Sequence, residues 1–156
     1  MLKNYTSEIA ADTTLARIER LLVNAGASGV QKLYTSGQCS AIVFQIQFDP
    51  HQPPMSIRLP ANVAQCQEVL WREYSKASVR GRKTREDFLE QASRTAWKLV
   101  QDWCEVQVSL IHLKQVEFLQ VFLPYVWDGR RTFYEAVKES GYRALLPAPE
   151  DVAKTD

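Results

Sequence analysis

Residues 84–113 read TREDFLEQASRTAWKLVQDWCEVQVSLIHL, and the spacing of their apolar side chains decides the fold. Phe88, Ala92, Ala96, Leu99, Trp103, Val106, Leu110 and Leu113 step by three or four residues throughout. A second row, Trp97, Val100, Cys104, Val108 and Ile111, lies beside the first. Two adjacent rows make an apolar arc wider than the single stripe of an ordinary surface helix. Arg94, Lys98, Asp102 and Glu105 run between them and are expected to face water. Thr84, followed three residues later by Asp87, offers a loose capping box to start the segment. One continuous helix is therefore expected, and its breadth of apolar surface requires a cover.

The cover is upstream. Ile42, Phe44, Ile46 and Phe48 alternate with Val43, Gln45 and Gln47, which places one wholly apolar face on a core and a mostly polar face toward water. Before it, residues 30–35 read as a strand and Ser36-Gly37 as a tight turn. After it, Asp49–Pro54 carries three prolines and must be a loop, and Met55, Ile57 and Leu59 alternate until Pro60. Leu15, Ile18, Leu22 and Ala25 mark a helix over about 13–25, with Asp12, Thr13 or Thr14 to cap it and Gly26 to close it. Residues 4–9 read as a short extended stretch. Asn62 can cap a helix carrying Val63, Cys66, Leu70 and Tyr74. Beyond the long helix, a kink near Lys114, a turn at Asp128-Gly129 and a short helix from Thr132 to Ser140 are expected. The fold class is α+β: a small antiparallel sheet of three or four strands, covered by an N-terminal helix and the long helix, with shorter helices after it. One domain over 1–146 and a frayed tail over 147–156 complete the expectation.

Size and composition agree with this. A chain of 156 residues, 46% hydrophobic and 24% charged, fits one domain that can bury a core without staples. Nineteen basic against eighteen acidic side chains leave a net charge of +1, so no long-range pull on a polyanion exists and a nucleic-acid role needs a local patch. Cys39, Cys66 and Cys104 lie far apart and form no CxxC pair, which reads as buried thiols in a reducing cytoplasm. Neither a secretory h-region nor a bilayer-length apolar run is present, so the expected location is cytoplasmic, with no membrane partner.

The residues of catalysis are sparse. His51 and His112 have no ligand-type neighbour at metal spacing. No GxSxG, GxGxxG or GxxxxGK[ST] motif occurs, so neither a nucleophile elbow nor a phosphate cradle is visible. Glu86 with Glu90, and Asp102 with Glu105, read as solvated helix faces. No catalytic residue, metal or cofactor is expected. Two other features stand out. Arg72, Lys76, Arg80, Arg82, Lys83 and Arg85 gather cations around one polar loop, and such a loop can neutralise phosphates. Glu86, Asp87 and Glu90 follow at once, and within the loop no aromatic residue can stack a base; Tyr74 and Phe88 only flank it. On the long helix and after it, Trp97, Trp103 and Trp127 are aromatic candidates for a partner interface.

Trp97-Lys98-Leu99-Val100-Gln101-Asp102-Trp103 and Val121-Phe122-Leu123-Pro124-Tyr125, with Leu59-Pro60-Ala61-Asn62 and the opening Lys3-Asn4-Tyr5-Thr6-Ser7-Glu8-Ile9, resemble a family of small proteins encoded by bacteriophages and mobile elements. That family has no assigned activity. The resemblance implies a mobile-element origin and transfers no catalytic residue. Three readings follow in order. The first is a non-enzymatic accessory protein that binds a protein partner, or a second copy of itself, through the aromatic side of the long helix. The second binds nucleic acid through the basic loop, and the third is a small hydrolytic or ligand-binding enzyme.

Overall fold

The computed structural model describes residues 1–77 and 81–148. The chain is α+β. Helix α1 (Ala11–Asn24) leads into strands β1 (Gly29–Thr35), β2 (Gln38–Ile46) and β3 (Met55–Pro60), then α2 (Val63–Lys76), the long α3 (Leu89–His112), α4 (Phe118–Phe122) and α5 (Phe133–Glu139). Single turns of 3₁₀ helix at Glu86–Phe88, Leu123–Tyr125 and Arg143–Leu145 link or follow them.

The strands form an antiparallel meander in the order β1-β2-β3. Ser36 and Gly37, at φ 51° and 78°, make the hairpin turn that joins Thr35 to its partner Gln38. Both central residues of a type I′ turn need positive φ, and that twist suits the flanking strands. Opposite Leu33 and Tyr34 the register slips by one residue. The slip changes which face the next side chain meets, and Cys39 is buried in the same core as Ile42 and Phe44. No strand forms over residues 4–9; the chain turns there, with Asn4 at φ 62°. The strand through Phe44 ends at Ile46, so Phe48 lies outside the core, half exposed and edge-on to Phe118 at 5.4 Å. Val43, expected on the water side, is buried, because it sits on the central strand between Gln31 and Arg58 of its neighbours.

Helix α3 is the centre of the second layer, and both α1 and α2 pack along it. The core joins Leu15, Ile18 and Leu22 of α1, Ile42, Phe44, Ile57 and Leu59 of the sheet, and Cys66 and Leu70 of α2. It closes on Ala92, Ala96, Trp97 and Cys104 of α3. Helix ends follow local chemistry. Gly26, at φ 110°, closes α1 with Ala27 N–H donating to Leu22 O and Gly26 N–H to Val23 O, a left-handed closure that suits glycine. The same pair of bonds ends α3, with Gln115 N–H to Leu110 O and Lys114 N–H to Ile111 O. There the left-handed residue is Lys114, at φ 56°, so the helix stops outright instead of kinking. Asn62 Oδ1 accepts from Gln65 N–H at the start of α2. Thr132 and Glu135 form a full capping box on α5. The N-cap of α1 is Ala10, with no side-chain cap, two to four residues earlier than Asp12–Thr14 suggested.

Candidate functional site

Trp97 and Trp103 lie six residues apart on α3 and meet different surroundings. Trp97 is fully buried, and its indole N–H donates to Cys39 O at 3.2 Å. A side chain enclosed and hydrogen-bonded in this way is closed to any partner, which removes Trp97 from the expected interface. Its place on the second apolar row of α3 turns it toward the sheet. Trp103, on the first row, is half-buried and stands edge-on to Phe122 and Tyr125, at 5.6 Å from each. Trp127 belongs to neither surrounding. Its backbone N–H donates to Ser56 O, and its neighbour Val126 pairs with Ile57, so it extends the β3 edge of the sheet.

Trp103 forms part of a cavity of about 240 Å³ with Leu59, Pro60, Leu99, Val100 and Tyr125. Pro60, Leu99 and Val100 also line a second cavity of about 280 Å³, whose far end is Leu2, Cys66 and Val69. The two join into one groove along α3, between the start of α2 and the turn at Leu123–Tyr125. No charged side chain lines either part. Pro60 and Tyr125 rigidify its walls, since one has a fixed φ and the other is packed against the Trp103 ring. The contribution of Leu99, Val100 and Tyr125 was hidden in the sequence among core positions. The excess width of the apolar arc on α3 was the signal that some of it would stay uncovered.

The basic loop is assembled differently. Arg72 Nε meets Glu68 Oε1 at 3.2 Å, Arg85 meets the other oxygen of Glu68 at 3.4 Å, and Lys76 meets Glu73 at 3.6 Å. Lys83 Nζ lies over the Phe88 ring, 5.7 Å from its centre. Arg82 is exposed, and Arg80 lies outside the described residues. Glu68 is the residue that sequence reading passed over. Its position four residues before Arg72 is the ordinary helical ion-pair spacing. Phe88, Tyr74 and Trp71 pack on one another, with ring centres 5.2 to 6.2 Å apart. Gly81 fits tightly over the Tyr74 hydroxyl: an added Cβ would come within 2.6 Å of it. The aromatic rings are thus engaged with each other and with the loop, and three of the cations already face carboxylates.

His51 and His112 are both exposed. Among the described residues, no three His, Cys, Asp or Glu side chains are grouped to hold a metal. Burial raises the thiol pKa of Cys39 and Cys66 and pushes Cys104 up to about 12, which keeps all three protonated and poorly nucleophilic. A polar cavity, about 490 Å³, lies between the first turn of α1 and the first turns of α3 and is lined by Asp12, Glu86, Glu90 and Arg94. Arg94 pairs there with Glu90, and no His or Cys lines it.

The polar stripe of α3 is only partly in water. Residues 2–7 cross it. Lys3 Nζ and Asn4 Nδ2 both donate to Asp102 Oδ2, the latter at 2.9 Å, and Lys98 Nζ lies 3.1 Å from the other oxygen. Thr95 Oγ1 donates to Asn4 O, and Gln91 Nε2 to Tyr5 O and Ser7 O. Burial alone would raise the Asp102 pKa, but hydrogen bonds from Lys3, Asn4 and Lys98 outweigh it and bring it down to about 2. Lys98 and Asp102, expected in water, are each about four-fifths covered, with side-chain exposures of 21% and 23%.

No family model, curated protein or solved structure matches the chain. No helix among the described residues is long and apolar enough to cross a membrane.

Proposed function

We propose that the protein is a non-enzymatic binding module that takes up apolar side chains of another polypeptide in the groove beside Trp103. A second copy of the chain is the first partner to test. The observation that carries this reading is the lining: a continuous groove along the longest helix, walled by Leu59, Pro60, Leu99, Val100, Trp103 and Tyr125, with no charged group. An apolar concavity with an aromatic anchor releases water when a side chain fills it, and such anchors dominate interface energy. An accessory role in a phage or mobile element fits a small binding protein of this kind.

The test pairs light scattering with selection of binders from a random peptide library, on the wild type and on Leu99→Glu. Expected are concentration-dependent association or apolar peptide ligands, each abolished by the introduced carboxylate. A strict monomer at high micromolar concentration that also yields no Leu99-dependent peptide contradicts the proposal. The nucleic-acid reading has less support, because Glu68 already pairs with Arg72 and Arg85, and Glu73 with Lys76.

A further inference from the structure

We propose that residues 2–7 form a latch across α3 that opens as a unit of its own and guards the end of the apolar groove. The use of the latch rests on the docking role of the groove; its existence does not.

The polar attachments of this segment fall on one helix stripe, Gln91, Thr95 and Asp102. Its backbone joins no strand. The only bonds between main-chain groups that it makes among the described residues are turns of its own, Tyr5 N–H to Leu2 O and Ser7 N–H to Asn4 O. Such a segment can leave without breaking a sheet ladder or a helix, which is the usual character of the first parts of a fold to open. One carboxylate concentrates the hold. Asp102 receives Lys3 and Asn4 from the latch, while Lys98 holds it from its own helix. Lys3 is itself two-thirds exposed, so that tie is open to water and to competition.

What the latch covers gives it a consequence. Thr95 is completely buried beneath it. Leu2 packs on the core and forms the wall of the groove beside Cys66, Val69 and Val100. Lifting residues 2–7 removes that wall and lengthens the apolar channel by one side chain, so a docking chain that displaces Leu2 takes its site. The docked state and the latched state then compete for one place on α3, which sets a threshold on binding.

The native cysteines report on this directly. Cys66 shares the groove end with Leu2, Cys39 lines another cavity, with Thr35 and Gln38, that Leu2 does not line, and Cys104 is fully buried. Labelling by a disulfide reagent under native conditions, read residue by residue by mass spectrometry, is compared for the wild type, Lys3→Ala and Asp102→Asn. Expected is a several-fold faster modification of Cys66 in both variants, with Cys39 and Cys104 unchanged. Equal acceleration of all three thiols would show that the segment opens only with the whole fold. No acceleration of Cys66 would show that it guards nothing; either result overturns the latch. Lys3→Ala touches an exposed side chain and keeps the test valid if Asp102→Asn destabilises the fold. A latch that opens on a protein whose groove binds no peptide would sink the docking proposal and leave this one standing.

Discussion

Helix α3 carries an aromatic cluster near each end, and the two differ in what they leave open. Near its start, Phe88 packs with Trp71 and Tyr74 under the basic loop. Toward its end, Trp103 packs with Phe122 and Tyr125, and Phe122 with Phe44 and Phe118. The first cluster is bounded by charge that is already paired: Glu68 with two arginines, Glu73 with Lys76, and Lys83 on the Phe88 ring. The second borders a groove with no charge. Aromatic content alone therefore does not mark a binding site. The state of the surrounding polar groups decides whether rings are sealed into the structure or left for a partner.

The largest effect concerns the element both clusters share. Trp97 stands between them, fully buried and bonded to Cys39 O. Trp97→Ala is expected to cost about 3–5 kcal/mol of stability in denaturant unfolding, by loss of burial and creation of a cavity. A loss below about 1 kcal/mol would show that the helix and sheet are not locked there. Next comes the matched pair. Trp103→Ala and Phe88→Ala each remove a half-buried ring, and each is expected to cost about 2 kcal/mol. Only Trp103→Ala should abolish peptide binding or self-association; equal effects of the two on binding would erase the distinction between the ends.

A smaller effect belongs to Asp102. Its folded pKa, about 2, is below the ordinary carboxylate value of 3.8. The carboxylate therefore stabilises the fold above about pH 4, and that stability is lost as pH falls toward 2. Asp102→Asn is expected to remove about 1–2 kcal/mol at pH 7, discounted for partial exposure, and to flatten the acid limb of the unfolding curve. An unchanged acid limb in the variant would place the proton uptake elsewhere. The smallest effect is expected for Arg82→Ala combined with Lys83→Ala: stability within about 0.5 kcal/mol of the wild type. Affinity for single-stranded DNA, measured at two salt concentrations, should not change. A drop in affinity together with a shallower salt dependence would move the functional site to the loop.

Much of this architecture is legible in the residues. The double apolar row gives α3, the Ile42–Ile46 alternation gives the central strand, and Asn62, Gly26 and Thr132 end or start helices as their chemistry requires. What was not legible depends on contacts across long sequence separations. The segment 4–9 looks extended by composition, but Asp102, nearly a hundred residues away, draws Lys3 and Asn4 into a turn on α3. The polar stripe of α3 looks solvated for the same reason, since periodicity says nothing of a chain that returns to cover it. For the candidate site, periodicity identified the apolar arc but not its division. Trp97 and Trp103 differ by six residues, well over one helical turn and short of two, and only the placement of the sheet decides which of them is enclosed. Likewise the basic loop is conspicuous in sequence, while the single Glu68 that holds Arg72 and Arg85 is not.

The most direct test of the groove is a map of backbone and indole amide shifts as the wild-type protein is titrated with a selected apolar peptide, or with itself by raising concentration. Shifts concentrated at Leu59, Val100, Trp103 and Tyr125, with Arg82 to Phe88 unmoved, are the predicted result. Shifts centred on Arg82 to Phe88, with Trp103 silent, would contradict it.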